Sequence, residues 1–141
     1  MRYLAIDYGT RRTGLAICDP QEKIVSPLEV VRGQKSLLSR IARIVRERQV
    51  DAVVVGLPLN MDDSEGPQAR LVRQFASKLR AHLDIPVYFE DERLSSFAAR
   101  QELASAGLGK SKAGGRLDAV AAAEILEAFL ERKGRSRRSD L

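Results

Sequence analysis

Three acidic positions far apart in the chain carry the chemistry this sequence can do: Asp7, the run Glu90-Asp91-Glu92, and Asp118. Asp7 closes the apolar segment Leu4-Ala5-Ile6. A tight hairpin, Tyr8-Gly9-Thr10-Arg11-Arg12, follows at once and leads into a second apolar segment from Thr13 to Cys18. A carboxylate beside buried strand residues loses its water, and leaving it unpaired costs on the order of several kcal/mol. A divalent cation answers that charge most strongly, which points toward phosphate chemistry.

Glu90-Asp91-Glu92 follows the short apolar strand Val87-Tyr88-Phe89, where mutual repulsion must be relieved. Surface pairing with Arg93 is the plain structural explanation. If extended geometry persists, side chains alternate, so Glu90 and Glu92 share one face and Asp91 points away. Glu92 is then the preferred ligand, with Asp91 in reserve. Asp118 falls in the first turn of the last predicted helix, where the helix dipole alone favours a carboxylate. Yet Asp118, Ala122, Ile125 and Phe129 lie at i, i+4, i+7 and i+11, so the acid continues a stripe that should face a sheet. The small residues Ala119, Ala121, Ala122 and Ala123 let that helix come close enough to bring Asp118 toward Asp7.

The elements that must position these groups follow from patterning. Apolar strands are expected at residues 2–7, 13–19 and 24–31, with turn signals at Gly9 and Asp19-Pro20. From Lys35 to Arg48, Leu37, Leu38, Ile41, Ile44 and Val45 recur at helical spacing, with Arg40, Arg43 and Arg46 largely on the other side. Ala52-Val53-Val54-Val55-Gly56 reads as a strand covered on both faces, followed by a loop from Leu57 to Gly66. A helix follows from Pro67 to Leu83, then a strand at Val87-Tyr88-Phe89, then a helix capped by Ser95 and extending to Ala106. Residues 107–116, with four glycines and three cations, read as a mobile basic loop before a last helix from Leu117 to Lys133.

The order β-β-β-α-β-α-β-α-α implies an α/β fold with a five-stranded mixed sheet. Strands 1–3 form an antiparallel meander, and helical crossovers set strands 4 and 5 parallel to strand 1. Sites in such sheets lie beyond the carboxyl ends of the strands, which puts Asp7 and Glu92 on one rim.

With 141 residues the chain suits one domain, read as 1–133, with a basic and disordered tail at 134–141. There is no long apolar run and no charged-then-apolar leader, so a cytoplasmic protein without membrane contact is expected. The lone Cys18 cannot form an internal disulfide and reads as a buried structural thiol. Likewise the single histidine, His82, reads as a surface or capping residue. A formal charge of +5, rich in arginine, is compatible with a phosphate-bearing partner without requiring one.

Four ordered motifs now carry a resemblance. Asp7-Tyr8-Gly9-Thr10-Arg11-Arg12-Thr13-Gly14-Leu15-Ala16, Val55-Gly56-Leu57-Pro58-Leu59-Asn60-Met61-Asp62, Asp91-Glu92-Arg93-Leu94-Ser95-Ser96 and Leu117-Asp118-Ala119-Val120-Ala121-Ala122 together resemble the bacterial YqgF/RuvX family. Members of that family are Holliday-junction-resolvase-like nucleases, also assigned to maturation of the 16S ribosomal RNA 5′ end. The resemblance extends to about residue 131. It implies a ribonuclease H-like fold, with Asp7, Glu92 and Asp118 as the catalytic and metal-binding acids. One departure is visible, since Asp63 stands where a glycine of the family is expected, which puts the backbone shape of that loop in question.

The chemistry so implied is hydrolysis of a phosphodiester assisted by two Mg²⁺ or Mn²⁺ ions. Arg11, Arg12, Asn60, Arg93, Lys110, Lys112 and Arg116 would position the nucleic acid, with solvated surface charge as the alternative for the cations and a local turn for Asn60. The expected partner is structured RNA or branched DNA, and the protein a monomer or homodimer. Processing of the 5′ end of pre-16S rRNA leads the functional expectation. Resolution of branched DNA, or a non-catalytic role in RNA binding and assembly, stands beside it.

Two other phosphate motifs fail on context. Ala104 to Ser111 loosely resembles a phosphate-binding loop, but it follows a helix where such a loop must follow a strand. The hairpin after Asp7 also resembles the first phosphate motif of sugar-kinase and actin-like ATPases, which need two such domains where this chain supplies one.

Overall fold

The computed structural model describes residues 1–94 and 114–139, with side chains described for 1–94 and 118–134. Five strands form one mixed sheet: β1 (Tyr3–Asp7), β2 (Arg12–Cys18), β3 (Val25–Arg32), β4 (Ala52–Leu57) and β5 (Val87–Asp91), in the order β3-β2-β1-β4-β5. Pairing is antiparallel for β1–β2 and β2–β3 and parallel for β1–β4 and β4–β5. The expected meander and crossovers are both present. Pro27 lies on β3, an edge strand, where its missing N–H costs no ladder bond on the open side.

Helices α1 (Leu37–Glu47) and α2 (Pro67–His82) cover one face, and α3 (Gly114–Ser139) covers the other. Leu37, Ile41 and Ile44 of α1 are buried, as their spacing predicts, and on α2 the buried residues are Ala69, Val72, Phe75, Ala76 and Leu79. They pack on Leu4, Ile6, Leu15, Val53 and Val55. On the opposite face α3 packs Ala122, Ala123, Ile125 and Leu126 against Tyr3, Ala5, Ala16, Ala52 and Val54. The all-apolar β4, buried along its whole length, lies between the two layers, which explains its lack of alternation.

Some boundaries differ from the sequence expectation. Strand β5 runs two residues further, to Asp91, and a short 3₁₀ turn (Glu92–Leu94) follows. Helix α3 begins at Gly114, inside the segment read as a basic loop, and continues past Lys133 to Ser139. The expected helix from Ser95 to Ala106 and the loop at 107–113 lie outside the described residues. Cys18 is buried, its Sγ accepting from the Tyr3 N–H at 3.2 Å, and burial pushes its thiol pKa up. His82 is exposed on the last turn of α2, its Nδ1 2.9 Å from the Lys78 carbonyl. No helix among the described residues is long and apolar enough to cross a membrane.

Candidate active site

Asp7 is the last residue of β1, and alternation along that strand sends it to the α3 face with Tyr3 and Ala5. Its cross-strand neighbour on β2 is Gly14. A Cβ on Gly14 would overlap the backbone carbonyl oxygen of Asp118, so only glycine lets α3 seat its first turns against β2 here. That close approach carries Asp118 to the rim where Asp7 stands. Gly56 of β4 plays the matching part on the other side: a Cβ there would sit 2.7 Å from Oε1 of Glu92 and 2.6 Å from Cδ1 of Ile125. Two glycines therefore make the room that the acids occupy.

The three consecutive carboxylates at the end of β5 go to three different partners. Glu90 is fully buried and pairs with Arg132 of α3. Asp91 is held by Arg93, whose Nη2 donates at 2.7 Å and whose Nε donates at 3.0 Å. Glu92 turns to Asp7 and shares a hydrogen bond with it. Glu90 and Glu92 thus face α3 while Asp91 faces away, as alternation predicts, although the strand itself ends at Asp91.

Burial comes first in raising the Asp7 pKa to about 8, followed by the Glu92 charge, the hydrogen bond to Glu92 and the Asp118 charge. Burial also raises Glu92, opposed by the hydrogen bond from Asp7, so the shared proton sits on Asp7 and Glu92 accepts it. Asp118 is raised by burial and drawn back by Arg12, whose Nε lies 3.2 Å from Oδ2. As the side chains stand, no three His, Cys, Asp or Glu residues among those described are grouped to hold an ion, since Asp118 is turned to Arg12. The donor set is nonetheless all carboxylate oxygen, partly withdrawn from solvent, which is the chemistry that hard divalent cations fit.

The other expected site residues separate into groups. Arg11 and Arg12 are exposed on the hairpin beside Asp7. Asn60 and Arg93 are engaged within the loop between β4 and α2: Arg93 Nη1 donates to the Asn60 carbonyl at 2.8 Å and Nη2 to Asp63 at 2.7 Å, while Asn60 Nδ2 donates to Ser64 Oγ at 2.9 Å. Asp63 adopts φ 69°, the left-handed conformation a glycine takes without strain, and its carboxylate is paired with Arg93. The loop therefore keeps a glycine-like backbone despite the aspartate. Lys110 and Lys112 lie outside the described residues, and Arg116 lies in the first turn of α3, its side chain outside them. Gly14 and Gly56 are the positions sequence reasoning missed; a glycine inside a strand pattern is the signal that marks a close approach.

A mixed sheet carrying converging acids on its carboxyl rim, with helices on both faces, is the ribonuclease H-like architecture of nucleases, hydrolases acting on ester bonds. The chain belongs to the RuvX family, whose model, described as Holliday junction resolvase, matches residues 1–132. It is 43% identical over 132 residues to a protein of Roseiflexus sp. (strain RS-1) named "Putative pre-16S rRNA nuclease", covering 92% of this chain and 94% of that one. A protein of the same name from Anaeromyxobacter sp. (strain K) is 46% identical over 135 residues, covering 94% of this chain and 98% of that one. Among solved structures, T. thermophilus RuvC in complex with Holliday junction substrate superposes with TM-score 0.61 at 21% identity, over 95% of this chain and 96% of that one. The fowlpox virus Holliday junction resolvase superposes with TM-score 0.51 at 14% identity, over 94% and 99%. These two likenesses show the fold.

Proposed function

We propose that the chain hydrolyses phosphodiester bonds of structured RNA with Asp7, Glu92 and Asp118 as its catalytic carboxylates, processing the 5′ end of pre-16S rRNA in the cytoplasm. The observation that carries this reading is the half-buried Asp7–Glu92 pair sharing one hydrogen bond, with the charge of Asp118 acting on the same group. Such an arrangement destabilises the fold unless a cation relieves it. The names of the relatives support RNA as the substrate.

Two divalent cations, Mg²⁺ or Mn²⁺, supply when bound an activated water and stabilisation of the leaving 3′ oxygen. Asp7 and Glu92 would hold such ions in common once the proton they share had been lost to solvent. Asp118 would have to turn from Arg12 to join them. Arg12, once released, stands beside Arg11 at the rim, where both can hold a phosphate in place. Lys110, Lys112 and Arg116 are assigned to the same task from the sequence alone. Asn60 and Arg93 act by fixing the loop that borders Glu92.

The test is cleavage by purified protein of structured precursor RNA, a four-way DNA junction and single strands, each with Mn²⁺, Mg²⁺ or chelator. Asp7→Asn is expected to retain RNA binding and lose cleavage. Equal activity in the variant and the wild type would overturn the assignment, and preferential cutting of the junction would move the substrate to branched DNA.

A further inference from the structure

The arginines of α1 are left unused by this chemistry. Arg40, Arg43 and Arg46 project from α1 into an open groove of about 740 Å³ between that helix and the edge strand β3, which also brings Arg32 and Glu29 to its wall. Four arginines face one glutamate there. Arg40 is committed to Glu29, donating twice at 2.6 and 2.9 Å, which holds Glu29 ionised and fixes the groove floor. Arg43 is paired with Glu47 at 2.7 Å, one turn along the same exposed helix face, a contact weak enough for a phosphate to displace. Among the described residues, neither Arg32 nor Arg46 forms an ion pair within 4.0 Å, and Arg46 shares the electrostatic neighbourhood of Glu47 with Arg43.

The groove also meets the catalytic rim. Arg32 is the cross-strand partner of Arg12, and Arg12 is the residue beside Asp118. From Arg43 to Arg46 the helix rises about 4.5 Å. At one phosphate per about 3.4 Å of strand, that length matches one to two phosphates of a duplex backbone, with Arg32 across the groove.

We infer that the β3–α1 groove is a second nucleic-acid contact, where Arg32, Arg43 and Arg46 grip the sugar–phosphate backbone of a helical stem whose neighbouring strand enters the catalytic rim. A polar, wide cleft lined by arginine suits a backbone of repeated anions, whereas small-molecule sites are enclosed and mostly apolar. The inference rests on the nuclease reading for the choice of nucleic acid as occupant, but its test needs neither cleavage nor metal.

The test measures fluorescence anisotropy of a labelled RNA stem carrying a single-stranded extension, titrated with the full-length Asp7→Asn chain in chelator across a range of NaCl concentrations. Reversing Arg43 and Arg46 to Glu is expected to weaken binding at least tenfold and to lower the slope of log affinity against log salt by about two. Arg43→Gln with Arg46→Gln, which keeps helix propensity and adds no repulsion from Glu47, should weaken binding in the same direction with an unchanged melting curve. The paired control reverses Arg70 and Lys78 on α2, an equal change of charge elsewhere. Unchanged affinity and salt slope in the groove variants would overturn the inference, and so would an equal loss in the control, which would mean a diffuse effect of net charge. Failure of the Asp7→Asn cleavage test would leave this binding result standing, so the two readings fail separately.

Discussion

The two faces of the sheet are built on opposite principles. On the α1–α2 face, large aliphatic and aromatic side chains, Leu4, Ile6, Leu15, Ile41, Phe75 and Leu79, fill a deep layer. On the α3 face, Ala5, Ala16, Ala52, Ala122 and Ala123 hold the layers close, and Gly14 and Gly56 leave room for the main chain of α3 and the carboxylate of Glu92. Burying large side chains stabilises a fold with each methylene. Close approach of backbone contributes less per residue but sets positions, and the acids are all on the face that uses it. Stability and placement are thus assigned to different layers around one sheet.

The largest effect should come from Asp7→Asn, which is expected to lower cleavage on the order of 10³-fold while raising the melting midpoint of the metal-free protein, because the amide cannot be charged. A lower midpoint, by calorimetry, would show that the acidic pair is not a source of strain. Gly14→Ala comes next. It should cost about 2–3 kcal/mol by forcing α3 off the sheet, and lower cleavage by folded protein at least tenfold. On the opposite face, Leu79→Ala should cost a comparable 2–5 kcal/mol or so but leave cleavage per folded molecule within about twofold. If chemical denaturation and single-turnover rates show the two variants losing activity alike, the division between faces is wrong.

A pH dependence sharpens the same contrast. Asp7 has its folded pKa raised from 3.8 to about 8, so the folded chain keeps a proton that the unfolded chain releases across that range. Stability without divalent ion should therefore be highest near the low end of the window and fall as pH rises toward 8. The Asp7→Asn variant should show a flatter profile there, and saturating Mn²⁺ should restore the wild-type midpoint at the high end. The smallest effect belongs to Asp63→Gly, which relieves the positive φ and removes an exposed ion pair with Arg93. The two changes oppose, leaving a difference within about 0.5 kcal/mol by denaturation.

Much of this was legible in the residues. The meander, the buried β4 and the stripe that carries Asp118 inward follow from apolar periodicity, which reports burial directly. Alternation favoured Glu92 over Asp91, but Asp91 is excluded only by its bonds to Arg93, a contact local geometry had to reveal. Gly14 was present in a recognised motif, yet a strand pattern does not say which backbone will arrive opposite it. Asn60 and Arg93 read as groups for a phosphate because a loop side chain advertises its donors and not their use. In the structure those donors are spent on holding the loop. Long-range partners such as Arg132 for Glu90 are invisible to spacing, since 42 residues separate them.

That last contact has a companion. Arg132 reaches Glu90 on β5, and the next residue, Lys133, reaches Glu22 in the turn between β2 and β3, near the other margin of the sheet. Two neighbouring side chains tie the same point of α3 to opposite sides, like stays on a mast. A single tie would fix how deep the helix lies but allow it to roll about its long axis; a pair pulling apart resists rolling as well. The bearing of Asp118, nearly four turns away, is therefore set well along the helix that carries it.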